Sequence, residues 1–139
     1  MDRRAFMAGM LATAFTLTAD TPRGPARPRL SSVDILPASG RRPTSMVVLL
    51  HGFGGNGESM RWVAQAWAKA LPDTAFVMPD APDQCHENPT DANSREWFAT
   101  RALDRDAQAR VAQIRRIEPV LNDFIDAKLA QYGLPDRAL

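Results

Sequence analysis

Apolar positions along the chain fall into runs whose spacing switches between that of strands and that of helices. Met46-Val47-Val48-Leu49-Leu50 is a continuous apolar run bounded by Pro43 and by His51-Gly52, the pattern of a strand buried on both faces of a parallel sheet. Upstream, Leu30 to Leu36 sets Val33 and Ile35 on one side of a period of two, which predicts a short strand. Glu58 to Leu71 carries Met60, Val63, Ala64, Trp67, Ala70 and Leu71 at helical spacing and is stopped by Pro72. Ala75-Phe76-Val77-Met78, closed by Pro79, predicts a second buried strand.

Residues 79 to 104 are rich in Pro, Asp and Asn and read as a long loop. From Asp106 to Tyr132, Val111, Ile114, Ile117, Leu121, Phe124, Ile125 and Leu129 recur with the helical period. Pro119 lacks a backbone donor and crowds the preceding turn, so it is expected to kink this helix or split it in two. Gly133 is placed to cap its end, with Pro135 just beyond. Strand, helix, strand, long loop and helix is the alternation of a doubly wound α/β sheet. Ala138 and Leu139 fall where a next strand would begin.

The chain has 139 residues, 45% hydrophobic and 24% charged, which limits it to one soluble globular domain. The formal net charge is +1, too small to attract nucleic acid or anionic lipid. Seven arginines among residues 1–42 face only Asp2, Asp20 and Asp34, so the basic excess belongs to the N-terminal stretch. That stretch has only Phe6 and Phe15 as aromatics and no nucleic-acid motif.

Residues 1–19 open with Arg3-Arg4-Ala5-Phe6-Met7 and continue as an uncharged, mostly apolar stretch. This is the layout of an export signal, here resembling the twin-arginine type. Export to the periplasm or the outside is the expectation, with an uncleaved anchor or a cytoplasmic location as the alternatives. Ala5 to Ala19 is too short for a stable membrane span, which takes about 20 apolar residues. Residues 20–43 follow as an extended Pro- and Arg-rich segment with one strand, and residues 44–139 as the folded part.

The chain contains one cysteine, Cys85, so no intrachain disulfide can form. Cys85-His86-Glu87 lacks a second cluster and therefore the ligand count of a zinc site. No metal and no cofactor is expected.

The turn after the first buried strand is where chemistry is expected. Gly52, Gly54, Gly55 and Gly57 let the backbone approach a ligand closely. A glycine-rich turn between a strand and a helix can aim N–H groups at the oxyanion of acyl transfer. It can also hold a phosphate, or simply connect two elements. The phosphate-binding spacings G-x-x-x-x-G-K-[ST] and G-x-G-x-x-G are absent.

Val48-Leu49-Leu50-His51-Gly52-Phe53-Gly54-Gly55-Asn56-Gly57-Glu58, then Ala70-Leu71-Pro72 and Ala75-Phe76-Val77-Met78-Pro79-Asp80-Ala81-Pro82, resembles the phospholipase/carboxylesterase family of α/β-hydrolases. Trp97-Phe98, Phe124-Ile125-Asp126 and Tyr132-Gly133-Leu134 continue the resemblance over about residues 44–139. It implies a serine hydrolase acting on carboxylic esters or thioesters, with a small-molecule ester as substrate. It implies that the backbone N–H of Phe53 is one oxyanion donor, and that Gly54, Trp97 and Phe98 lie by the substrate. Core aromatics under a long loop are the other reading of Trp97 and Phe98. The family's catalytic histidine lies near its C-terminus, so His51 is read as shaping the turn.

The resemblance also places a Gly-x-Ser-x-Gly nucleophile on the next strand, with the triad aspartate and histidine later. None of Ser31, Ser32, Ser39, Ser45, Ser59 and Ser94 sits in such a turn. The expectation is a partial α/β-hydrolase sheet, truncated before its nucleophile strand and inactive alone. A non-catalytic ligand- or partner-binding remnant is the alternative. The strand at Met46 to Leu50 would keep an unpaired edge, which favours aggregation or oligomerisation.

Overall fold

The computed structural model describes residues 29–99 and 106–139. The export-signal reading and the first part of the Pro/Arg-rich segment lie outside the described residues. The elements are β1 (Ser32–Ile35), β2 (Ser45–Val48), a 3-10 turn (Glu58–Met60), α1 (Arg61–Ala68) and β3 (Thr74–Pro79). They continue with β4 (Asp83–Gln84), β5 (Arg95–Glu96), α2 (Ala107–Tyr132) and a final 3-10 turn (Asp136–Ala138).

Three strands form one sheet in the order β1-β3-β2, with β2 parallel and β1 antiparallel to β3. The central position of β3 explains its composition: all six of its residues are buried. Alternation sorts the side chains to two faces. Val77, Met46 and Val48 meet Phe124, Ile125 and Leu129 of α2 on one face. Phe76, Met78, Val47 and Leu49 meet Met60, Val63, Ala64 and Ala68 on the other. Each fully buried side chain such as Phe76 or Met78 stabilises the sheet by about 1.5–3 kcal/mol. Helices on both faces of a mixed sheet are the doubly wound arrangement that the hydrophobic pattern implies.

Val33 and Ile35 of β1 pack on the α1 side, so Asp34 points the other way, onto α2. Its Oδ2 accepts hydrogen bonds from Lys128 Nζ and from the Tyr132 hydroxyl, both at 2.6 Å, and Oδ1 accepts from Ser32 Oγ at 2.7 Å. Burial pushes the Asp34 carboxyl up, but these donors and the Lys128 charge outweigh it and hold the carboxyl below its ordinary range. Burial and the neighbouring carboxylate push the Tyr132 phenol well above its usual value.

Several expectations need correction. Pro119 does not split α2, which is a single helix across it. The proline lacks one backbone donor, but Ile117, Val120 and Phe124 anchor the helix on both sides of it. The apolar stripe of α2 also extends further in sequence than its contact with the sheet, so Val111 and Ile114 are exposed. Trp67 is likewise about half exposed on α1. Residues 79–104 are more than a loop, since β4 and β5 pair as a small antiparallel ribbon. Residues 136–138 form a 3-10 turn rather than the start of a strand. The two termini of α2 match the reading: the Asp106 side chain accepts from Gln108 N at 2.8 Å, and Gly133, at φ 66°, caps the other end.

Among the described residues, no helix is long and apolar enough to cross a membrane.

Candidate active site: the loop after β2

The loop after β2 is tied to the rest of the fold on both sides of its tip. His51 is buried, and its Nε2 accepts from the Ala81 backbone N–H at 3.0 Å. With Nε2 accepting, the neutral ring carries its proton on Nδ1, which donates to the Gly52 carbonyl at 2.7 Å. Both ring nitrogens are therefore occupied, and His51 shapes the turn rather than moving protons.

The Trp97 indole N–H donates to the His51 carbonyl at 2.9 Å, and its ring lies 5.4 Å from the imidazole. Trp97 itself is buried with Ala81 and Ile117, and Phe98 packs half-buried against that cluster. Gly54 donates its N–H to the Arg95 carbonyl at 3.0 Å, and Arg95 donates back to Gly55 O at 2.9 Å. Ser94 Oγ donates to Gly54 O at 3.2 Å. The segment 94–97 thus works as a splint along the loop. Arg95 fixes that splint in turn, donating to the carbonyls of Ala81 at 2.9 Å and Pro82 at 2.6 Å.

Two glycines are required by geometry. Gly54 has φ 74°, a left-handed conformation that side chains disfavour. Gly57 passes so close to β3 that a Cβ would lie 2.1 Å from the Met78 carbonyl oxygen. Its N–H donates to Asp80 Oδ1 at 2.7 Å, while Asp80 Oδ2 accepts from Ser31 Oγ at 2.7 Å. Asp80 therefore ties the loop to the end of β3 and the start of β1.

These bonds consume the donors of residues 54–57: Gly55 N–H goes to Gly52 O at 3.1 Å and Asn56 N–H to Ser59 Oγ at 3.3 Å. The amides of Gly52 and Phe53 have no acceptor among the described residues. Phe53 is at the tip, 46% exposed, with its ring 5.5 Å from that of His86. Of the residues singled out from the sequence, Phe53 offers a free donor, Gly54 has spent its own, Trp97 supports the loop from the core side, and Phe98 packs against the cluster that holds Trp97. A polar groove of about 310 Å³ opens nearby between Ser31, Asn56, Glu58, Asp80, Asn93 and Arg95. Neither Phe53 nor Trp97 lines it.

Sequence reading missed the splint residues Ser94 and Arg95, the tie at Asp80, and the pairing of His86 with Glu96. Among the described residues, no group of three or more His, Cys, Asp or Glu side chains could hold a metal ion.

A parallel strand, a glycine-rich turn with a free amide at its tip, and a helix packed back on the sheet make up part of an α/β-hydrolase fold. Residues 34–138 match the phospholipase/carboxylesterase family, and the chain belongs to it. The match takes in the end of β1, Asp34 and Ile35, as well as the loop. The chain is also similar to the crystal structure of esterase PE8, with 39% identity and a TM-score of 0.70 over 79% of its length. It spans about half of that esterase, covering 49% of it. No curated protein matches the chain.

Proposed function

We propose that these residues supply the oxyanion-hole half of a serine carboxylic-ester hydrolase. The free Phe53 N–H is the observation that carries this reading. The amides that follow it, from Gly54 to Gly57, are all bonded, so it is held in place before any ligand arrives. A donor fixed in advance costs no reorganisation when charge develops on the carbonyl oxygen, and one such donor is worth about 3–4 kcal/mol of barrier. Family membership and the likeness to an esterase support the same assignment.

The serine nucleophile, the triad aspartate and the triad histidine are proposed to come from outside these 139 residues, because no Gly-x-Ser-x-Gly is among them. The open edge of β2 is the proposed seat of the nucleophile strand. Small carboxylic esters or thioesters are the proposed substrates.

Joining residues 29–139 to the C-terminal half of the related esterase tests this. The joined protein is expected to hydrolyse p-nitrophenyl acetate and to take up a fluorophosphonate, whereas the 139-residue chain alone takes up none. Stoichiometric labelling of the chain alone would contradict the reading.

A further inference from the structure

His86 and Glu96 form a second ordered pair, beside the tip of the loop. The Glu96 side chain is 5% exposed, and its Oε2 lies 2.7 Å from His86 Nδ1. A carboxylate only accepts, so Nδ1 carries the proton and Nε2 of the neutral ring carries a lone pair. That Nε2 is buried and has no hydrogen-bond partner among the described residues. An unpaired buried polar atom costs about 1–3 kcal/mol, and so few occur that each calls for a reason.

The surroundings supply one. The Phe53 ring meets the His86 ring edge to face with centroids 5.5 Å apart, and the Phe53 amide is a free donor at the tip of the loop. The chain has two histidines, and the other, His51, has both nitrogens engaged. A bare imidazole nitrogen and a buried carboxylate that fixes the tautomer therefore belong to a ring packed on Phe53, the residue whose backbone N–H is unoccupied. In carboxylate–imidazole pairs of this kind, the carboxylate orients the ring and stabilises the imidazolium that forms.

The geometry points to His86 as a general base, oriented by Glu96, that activates water against an ester carbonyl held at the Phe53 amide. This rests on the reading of that amide as an oxyanion donor. The water oxygen bonds to the acyl carbon while Nε2 takes its proton, and the carbonyl electron pair moves onto the oxygen facing Phe53 N–H. The pair then returns, the bond to the leaving oxygen breaks, and that oxygen departs as phenolate from an activated aryl ester. The imidazolium passes its proton to solvent, leaving a carboxylic acid. No serine takes part, so the activity is slow and confined to esters with good leaving groups. Nε2 is buried and the Phe53 ring packs edge-on against the imidazole, so removal of that ring is expected to open a path for water.

The test is p-nitrophenolate release from p-nitrophenyl acetate by the 139-residue chain. His86→Gln is expected to lower the chain-dependent rate at least tenfold and Glu96→Gln several-fold. Phe53→Ala, which keeps the amide and removes the ring packed on His86, is expected to raise it several-fold, a change that a purely structural ion pair would not produce. Nitrogen-15 spectra of the imidazole are expected to show neutral His86 protonated on Nδ1. A chain-dependent rate that is absent or survives His86→Gln, a fall with Phe53→Ala, or a proton on Nε2 would each overturn the inference. A rate that falls with His86→Gln but ignores Phe53→Pro supports the base and overturns the oxyanion reading alone.

Discussion

Trp97 donates its indole N–H to the carbonyl of His51 at 2.9 Å, joining the start of the glycine-rich loop to a residue 46 positions later. Phe at position 97 keeps most of the packing but leaves that buried carbonyl without its donor. Trp97→Phe is therefore expected to cost about 1–2 kcal/mol, and Trp97→Ala about 3–5 kcal/mol. Urea melts give the two values, and faster amide exchange at Gly54 and Gly55 would show that the loss reaches the loop.

Gly57 is the position where the chain tolerates no side chain, because the Met78 carbonyl occupies the space. Gly57→Ala must displace β3 or the loop, at a cost of about 3 kcal/mol or more. A Cβ on Gly52 meets nothing within 4 Å, so Gly52→Ala is expected to change stability by less than about 1 kcal/mol. Equal melts for the two variants would contradict the packing described.

The clasp between β1 and α2 predicts how stability follows pH. The folded-state pKa of Asp34 is lowered, so its contribution is complete above the unfolded value near 3.8 and is lost as pH falls through the folded one. The folded-state pKa of Tyr132 is raised, so its contribution is complete below the unfolded value near 10.0 and is lost as pH climbs above it. Asp34→Asn should flatten the acid limb of the stability profile, and Tyr132→Phe the alkaline limb. Thermal melts between pH 2 and 11 check both, and unchanged limbs would remove the clasp from the account of stability.

The sheet order leaves β2 with one neighbour among the described residues. An open edge of apolar residues templates pairing with another chain. The 139-residue chain is therefore expected to self-associate with rising concentration in sedimentation velocity, and Val47→Lys to reduce it. A monomer at all concentrations with protected amides at Val47 and Val48 would contradict this.

The sheet and its two helices could be read from the sequence because burial writes its period into them. Val77 alternates with Phe76 and Met78 across the sheet, as the run Ala75 to Met78 implies. The tip of the loop was also legible, because four glycines in six positions have few structural explanations. The splint was not. Ser94, Arg95 and Glu96 act through backbone atoms or through a partner in another segment, and neither kind of contact leaves a periodic trace. Trp97 looked as suitable for a substrate groove as for a core, and only its bond to His51 shows its work on the loop. The exposed Val111 and Ile114 illustrate the converse, since periodicity reports which face of a helix is apolar but not how far the sheet beneath it extends.

The most direct measurement concerns the Phe53 amide in the protein joined to the C-terminal half of the related esterase. Phe53→Pro removes the N–H, whereas Phe53→Ala removes only the ring. The expected result is a kcat for p-nitrophenyl acetate about 100- to 1,000-fold lower in the proline variant than in the alanine variant, with folding intact by circular dichroism. Equal kcat values in the two folded variants would contradict the assignment of Phe53 as an oxyanion donor.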